Sequence, residues 1–170
     1  MRLSAKDAVR LGFISKKDLP KEVQTEMKKQ SKDLEGEEQC EVVNQFRSLY
    51  PVEGHLLIHI PNGGSRKNKF EGWRLKQQGT RAGVSDLHLP IARGGYFGLW
   101  MEFKAAPPFD ASIQNSQIQW LQEMRAQGYY AVLCKGPEAA LKELIAYMSL
   151  PKTMPTQFPP EETGEIRIVS

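Results

Sequence analysis

No stretch of this chain approaches the roughly 20 apolar residues needed to cross a bilayer, and the opening segment MRLSAKDAVRLGF lacks the continuous apolar region of a secretory signal. The expectation is a soluble cytoplasmic protein with no membrane partner. Cysteine is scarce. Cys40 and Cys134 stand far apart and form no CxxC pair, so neither a zinc site nor a disulfide framework is indicated, and two buried free thiols are expected. Excess charge is small too: 23 basic against 20 acidic residues leave a formal +3, too little to announce a nucleic-acid binder by itself. No internal repeat is visible.

With 170 residues, 40% of them hydrophobic, the chain can build one core, which predicts a single α/β domain with extensions. Its charges are unevenly spread. Arg66, Lys67, Lys69, Arg74, Lys76 and Arg81 face a single acid, Glu71, between positions 66 and 81, which concentrates positive potential just before Asp86. Phosphate binding and a merely solvated loop and helix face are both open readings of that run.

Residues 1–36 read as an accessory segment, helical or partly mobile, in which Ser4 and Asp7 form a capping box for a short helix. From about Glu37 an amphipathic helix is predicted, with Val42, Val43, Phe46, Leu49 and Tyr50 on one stripe and Pro51 ending it. Glu38, four before Val42, falls on the inward stripe, whereas Glu37 and Glu41 face outward. His55–Ile60 reads as a strand closed by Pro61, Asn62, Gly63 and Gly64. A short basic helix over Phe70–Gln77 follows, ended by Gly79. Val84–Ile91 alternates as a strand, and Arg93-Gly94-Gly95 turns it into a second strand, Tyr96–Lys104, which brings Asp86 near Glu102. Beyond Pro107 and Pro108, a helix over Asn115–Gln127 points Gln117, Trp120, Leu121 and Met124 inward. Tyr129–Cys134 is a short buried strand, and Gly136-Pro137 starts a last helix burying Leu141, Leu144, Ile145 and Met148. The body thus spans 37–150, and 151–170 is a loose tail with four prolines in its first ten residues, in which Ile166–Val169 can add an edge strand.

The chemistry is concentrated in Asp86 and Glu102-Phe103-Lys104. On a strand, side chains two apart share a face about 6–7 Å apart, so Glu102 and Lys104 project together while Phe103 points away. Burying that pair among Leu99, Trp100, Met101 and Phe103 is costly unless a metal, substrate or water meets it. Hard carboxylate oxygens hold Mg²⁺ or Mn²⁺ for phosphodiester hydrolysis. Asp86 and Glu102 are the principal candidate ligands, with the Phe103 carbonyl available from the same strand. Lys104 is placed to orient or deprotonate the attacking water, or to stabilise charge in the transition state. Taken singly, Asp86 is an ordinary turn residue and Glu102 with Lys104 an ordinary edge-strand ion pair. Glu38 and Gln117 directed at the same region make that plain reading harder to hold.

The ordered set Glu38-Gln39, His59-Ile-Pro-Asn-Gly-Gly64, Gly79-Thr-Arg-Ala-Gly-Val-Ser-Asp86, Glu102-Phe-Lys104 and Gln117-Ile-Gln-Trp120, with Gly128-Tyr129 behind it, resembles the VRR-NUC domains of the PD-(D/E)XK nuclease superfamily over roughly residues 37–148. Ser85 stands where the superfamily pattern usually has proline, which alters the turn but removes no ligand. The resemblance implies a restriction-endonuclease-like αβββαβ core with a mixed central sheet flanked by helices. It also implies a Mg²⁺- or Mn²⁺-dependent DNA endonuclease, and metal or catalytic roles for Glu38, Asp86, Glu102, Gln117 and Lys104. Stand-alone members resemble phage-encoded proteins, some acting as homodimers on four-way DNA junctions. The resemblance further implies a branched-DNA substrate in phage recombination, repair or replication, and the host cytoplasm as location, although fold membership does not fix the DNA structure cut.

His55 and His59 are expected to pack or hydrogen-bond rather than to hold zinc, since no third ligand is indicated. The Asn62–Lys67 turn lacks P-loop spacing and reads as a turn whose amides touch DNA. Asn62, Arg66, Lys67, Lys69, Arg74, Lys76 and Arg81 are the expected DNA contacts. Trp73 is the surface candidate for base stacking, with Trp100 and Trp120 in the core. The alternatives to an endonuclease are a non-catalytic module recognising DNA structure and a protein-interaction domain with no salt-dependent DNA affinity.

Overall fold

A computed structural model describes residues 4–61 and 69–154. Helix α1 covers Ala5–Arg10, where the Ser4 hydroxyl accepts from the Asp7 amide at 3.1 Å as the sequence predicts. A 3-10 turn over Lys16–Asp18 leads into α2, Lys21–Leu49. This helix begins well before the Glu37 start read from apolar periodicity. Its first half buries only Met27 and Ser31, so the sequence there carries almost no stripe to read. That half is held instead by Ser31, whose hydroxyl donates to the Phe109 carbonyl.

The second half of α2 buries Val42 and Phe46 completely against the sheet and the last helix, each contributing about 1.5–3 kcal/mol. Leu49, expected on that stripe, is 55% exposed. The predicted His55–Ile60 strand is shorter: Gly54–Leu56 forms a 3-10 turn and only Ile58–His59 pairs, as β1. Helix α3 is Lys69–Gln77, β2 Leu87–Leu89, β3 Leu99–Lys104, α4 Asn115–Ala126, β4 Tyr130–Lys135 and α5 Pro137–Met148.

The four strands lie in the order β1-β2-β3-β4, with β1, β2 and β3 antiparallel and β3 parallel to β4. This is the mixed sheet flanked by helices of an αβββαβ core. Leu99, Met101 and Phe103 turn one face of β3 into the core with Leu57, Leu87, Leu89 and Leu144, all unexposed. Trp100, Glu102 and Lys104 take the opposite face by strand alternation. Helix α5 buries Ala140, Leu144, Tyr147 and Met148, while Ile145, expected inside, is 37% exposed. Of the two thiols Cys134 is buried but Cys40 is exposed, because it stands on the outer face of α2. Among the described residues no helix is long and apolar enough to cross a membrane. Ile166–Val169 lies outside the described residues.

Candidate active site

The register pairing Leu87 with Met101 places Asp86 opposite Glu102. Asp86 is fixed by accepting the Phe103 backbone N–H on Oδ2 at 3.0 Å. Gly83, at φ +87°, brings the preceding turn so close to α4 that a Cβ there would overlap the Ser116 carbonyl. The segment carrying Asp86 is thus seated on the turn of helix that carries Gln117.

The Lys104 ammonium sits where the oxygens of the site converge. It donates to Glu102 Oε1 at 2.8 Å and to the Phe103 carbonyl at 2.9 Å, and lies 3.5 Å from Glu35 Oε1 and 4.0 Å from Asp86 Oδ2. Gln117 Nε2 donates to the same Glu102 Oε1, and Gln117 Oε1 accepts the Gln114 N–H at 2.9 Å, which locks the amide in place. Glu102 is fully buried, and its Oε2 has no hydrogen-bond partner among the described residues. An unpaired buried carboxylate oxygen is costly. Burial first, then the charge of Asp86, pushes the Glu102 carboxyl up to about 7 against the opposing pull of Lys104. Burial also raises Glu35, with Asp86 adding to it and Lys104 opposing. Burial alone would lower Lys104, but its hydrogen bond to Glu102 and the three surrounding carboxylates outweigh that and raise it.

The structure therefore brings Asp86, Glu102, Lys104, Gln117 and the Phe103 carbonyl together. It points Glu38 elsewhere: Glu38 Oε2 accepts the Ala106 N–H at 2.8 Å. Glu35, one turn earlier, is the α2 acid beside Lys104. Glu35 stands seven before Val42, on the same stripe as Glu38, but precedes the Glu37 start that apolar periodicity gives. His59 Nδ1 lies 3.0 Å from the Asp86 carbonyl and 2.8 Å from Gln39 Nε2.

The donor set fits a hard divalent cation. Four oxygens surround a bound positive charge, and one further carboxylate oxygen lacks a partner. Among the described residues no three His, Cys, Asp or Glu side chains form a complete metal cage.

Of the expected DNA contacts, Asn62, Arg66 and Lys67 lie outside the described residues, as does the Lys69 side chain. Arg74 and Lys76 are exposed on α3. Arg81 is already engaged, 2.8 Å from Glu123 Oε2 and over the Trp120 ring at 5.3 Å. Trp73 is 57% exposed and stacks on Phe70 at 5.9 Å. Trp100 and Trp120 are half-buried, edge to face at 5.3 Å.

A mixed four-stranded sheet presenting an acid from one strand, a Glu-x-Lys from the next and a glutamine from the following helix defines the nuclease-type class known as PD-(D/E)XK. The VRR-NUC domain family matches residues 24–138, and the chain belongs to that family, a nuclease-type domain whose partner is DNA. A solved structure described as a VRR_NUC domain protein is similar at 26% identity and TM-score 0.61, over 70% of this chain and 91% of that one. No curated protein matches the chain.

Proposed function

We propose that this protein is a Mg²⁺- or Mn²⁺-dependent DNA endonuclease that hydrolyses phosphodiester bonds. The observation that carries the reading is the fully buried Glu102 with an unpartnered Oε2, set beside Asp86 and bridged to it by Lys104. A buried acid held that way serves poorly as a structural ion pair, because part of its hydrogen-bonding capacity goes unused. It serves well as one side of a cation site.

In this reading Asp86, Glu102 and the Phe103 carbonyl would hold the ion, with Glu35 of α2 the further acid of the cluster. Glu38, which the family resemblance also implicates, lies one turn along the helix. A divalent ion in such a site spreads the charge that builds on the phosphate and favours ionisation of the attacking water. The chain's own groups do the positioning. The Phe103 amide fixes Asp86, and Gln117, tied to the Gln114 amide, fixes Glu102. Lys104, whose ammonium lies among these oxygens, would orient the attacking water or meet charge on the phosphate. Structure-selective cutting of branched DNA by a homodimer, in a phage recombination, repair or replication setting, extends the reading on family resemblance alone.

The test is to incubate purified protein with labelled duplex, single-stranded, flap and four-way-junction DNA in Mg²⁺, Mn²⁺ or chelator. Internal cleavage that requires either metal is expected, and the preferred substrate names the DNA structure. Salt-dependent binding without cutting in any metal would overturn the catalytic reading in favour of a DNA-binding module.

A further inference from the structure

Running from Glu38 toward its N-terminus, α2 carries Glu35, Lys32 and Lys28 at steps of three, three and four residues, so these side chains share one side of the helix, with Ser31 beside Lys32. That side opens on the catalytic residues. A cleft of about 310 Å³ is lined by Lys28, Lys32 and Glu35 of α2 together with Lys104 and Gln117. It adjoins a second cavity of about 490 Å³, which shares Lys28 and Ser31 and is bordered by Lys16 and Lys17. A continuous trough therefore leads from the catalytic cluster past the first half of α2, the part of the helix that buries almost nothing.

The cations around this trough are not equivalent. Lys16 and Lys135 are both neutralised by Asp110, at 2.9 and 2.7 Å. Arg81, in the stretch where the sequence places the DNA clamp, is spent on Glu123. Lys28 and Lys32 are exposed and make no ion pair among the described residues. Two like charges one helical turn apart repel each other, and an anion between them removes that repulsion. They also offset the negative potential of Asp86, Glu102 and Glu35, which would otherwise turn a phosphate away from the mouth of the site.

We propose that Lys28 and Lys32 form a phosphate-binding ledge that receives the backbone of a DNA strand beside the bond to be cut. About four residues of helix rise separate them, roughly 6 Å, so each meets its own phosphate on a strand lying along the helix. The ligand class is the phosphodiester backbone, and the contact is independent of base sequence. The inference rests on the nuclease reading for its choice of DNA, yet it is tested by binding alone.

The experiment uses the full chain in chelator, with fluorescently labelled duplex and single-stranded DNA titrated at several salt concentrations. Three proteins are compared: wild type, the double variant Lys28→Gln/Lys32→Gln, and Lys142→Gln as a control at an exposed lysine of α5 away from the trough. Loss of two phosphate contacts reduces the slope of log K against log salt by about 1.8 for duplex or about 1.4 for single-stranded DNA, and which form responds identifies the strand that lies on the ledge. The thermal midpoint is expected to stay at the wild-type value and the control slope to stay unchanged. If wild type binds DNA in chelator and cuts it when Mg²⁺ or Mn²⁺ is added, while the double variant keeps the wild-type slope or the control shifts as much, the ledge is overturned and the nuclease reading stands. If wild type neither binds nor cuts DNA, both fall.

Discussion

Lys104 and Glu102 stand two residues apart on one strand, and the ammonium of the first, nearly buried, lies 2.8 Å from a carboxylate oxygen of the second, which is fully buried. The pair is flanked by Asp86 and Glu35, so one cation serves three acids. The ammonium holds together a cluster that would otherwise repel itself, and it does so from the point where the oxygens converge.

Replacing it removes that centre. Lys104→Met is expected to lower cleavage by about 10²–10⁴-fold and to destabilise the fold by up to about 3–5 kcal/mol, as for a buried ion pair that loses one partner. A carboxyl whose folded pKa lies above its unfolded one favours the fold in its protonated form. Glu102, already pushed up to about 7, therefore makes the variant lose stability as pH rises through neutrality and keep more of it in mild acid. Divalent metal supplies a replacement cation, so Mg²⁺ should raise the thermal midpoint of Lys104→Met more than that of wild type. Equal metal-induced shifts in the two proteins would mean that ion and ammonium do not share the site.

Glu35 and Glu38 lie on the same stripe of α2 and face different partners. Glu35→Gln is expected to weaken metal-dependent activity by about 10–100-fold, as for groups that act through the ligands around an ion, with little change in thermal midpoint. Glu38→Ala leaves the Ala106 amide without its acceptor and should cost about 1–3 kcal/mol of stability. Activity and unfolding measured on both variants decide the matter. A silent Glu35→Gln beside a stable Glu38→Ala that no longer responds to metal would instead put Glu38 around the ion.

The β2–β3 pairing was legible because alternation and turns coincide: Asp86 opposite Glu102 followed from the Arg93-Gly94-Gly95 turn and the period of two. Gln117 was legible from the apolar stripe of α4. The start of α2 was not, since a helix half that buries only Met27 and Ser31 has no apolar period to announce it. Glu35 was lost with it. Leu49 and Ile145 follow the helical period yet stand 55% and 37% exposed, since period alone does not say how far the covering layer extends. The engagement of Arg81 by Glu123, 42 residues away, is a long-range contact that no local pattern encodes.

Gly83 joins the turn before Asp86 to the start of α4, and both its positive φ and its contact with Ser116 exclude a side chain. Gly83→Ala should cost about 2–4 kcal/mol and depress activity beyond that loss, because Asp86 and Gln117 shift relative to each other. Gly79→Ala is the matched comparison: its φ is +92° but open space surrounds it, so only the backbone penalty of about 1–2 kcal/mol applies. Denaturant midpoints and cleavage rates for the two variants separate strain from misplacement. Equal effects would show that the approach to Ser116 does not position the site.

Asp110 ties the N-terminal turn to the body of the domain, accepting from Lys16 at 2.9 Å and from Lys135 at 2.7 Å. Burial alone would raise its carboxyl, but the hydrogen bonds from Lys135 and Lys16 outweigh that and hold it below the ordinary 3.8. A depressed folded pKa means that the stabilisation is present above the unfolded value and is lost as pH falls through the folded one. At neutral pH Asp110→Asn should therefore be less stable than wild type by about 1–2 kcal/mol, a modest figure because both lysines are partly exposed and screened. The two proteins should converge as pH drops below 3.8. Because Lys16 and Asp110 also border the trough beside α2, the variant's N-terminal turn should be cut faster by trypsin at neutral pH. A constant stability gap across the acid range, with no change in cleavage at Lys16 or Lys17, would show that the two ion pairs do not hold that turn in place.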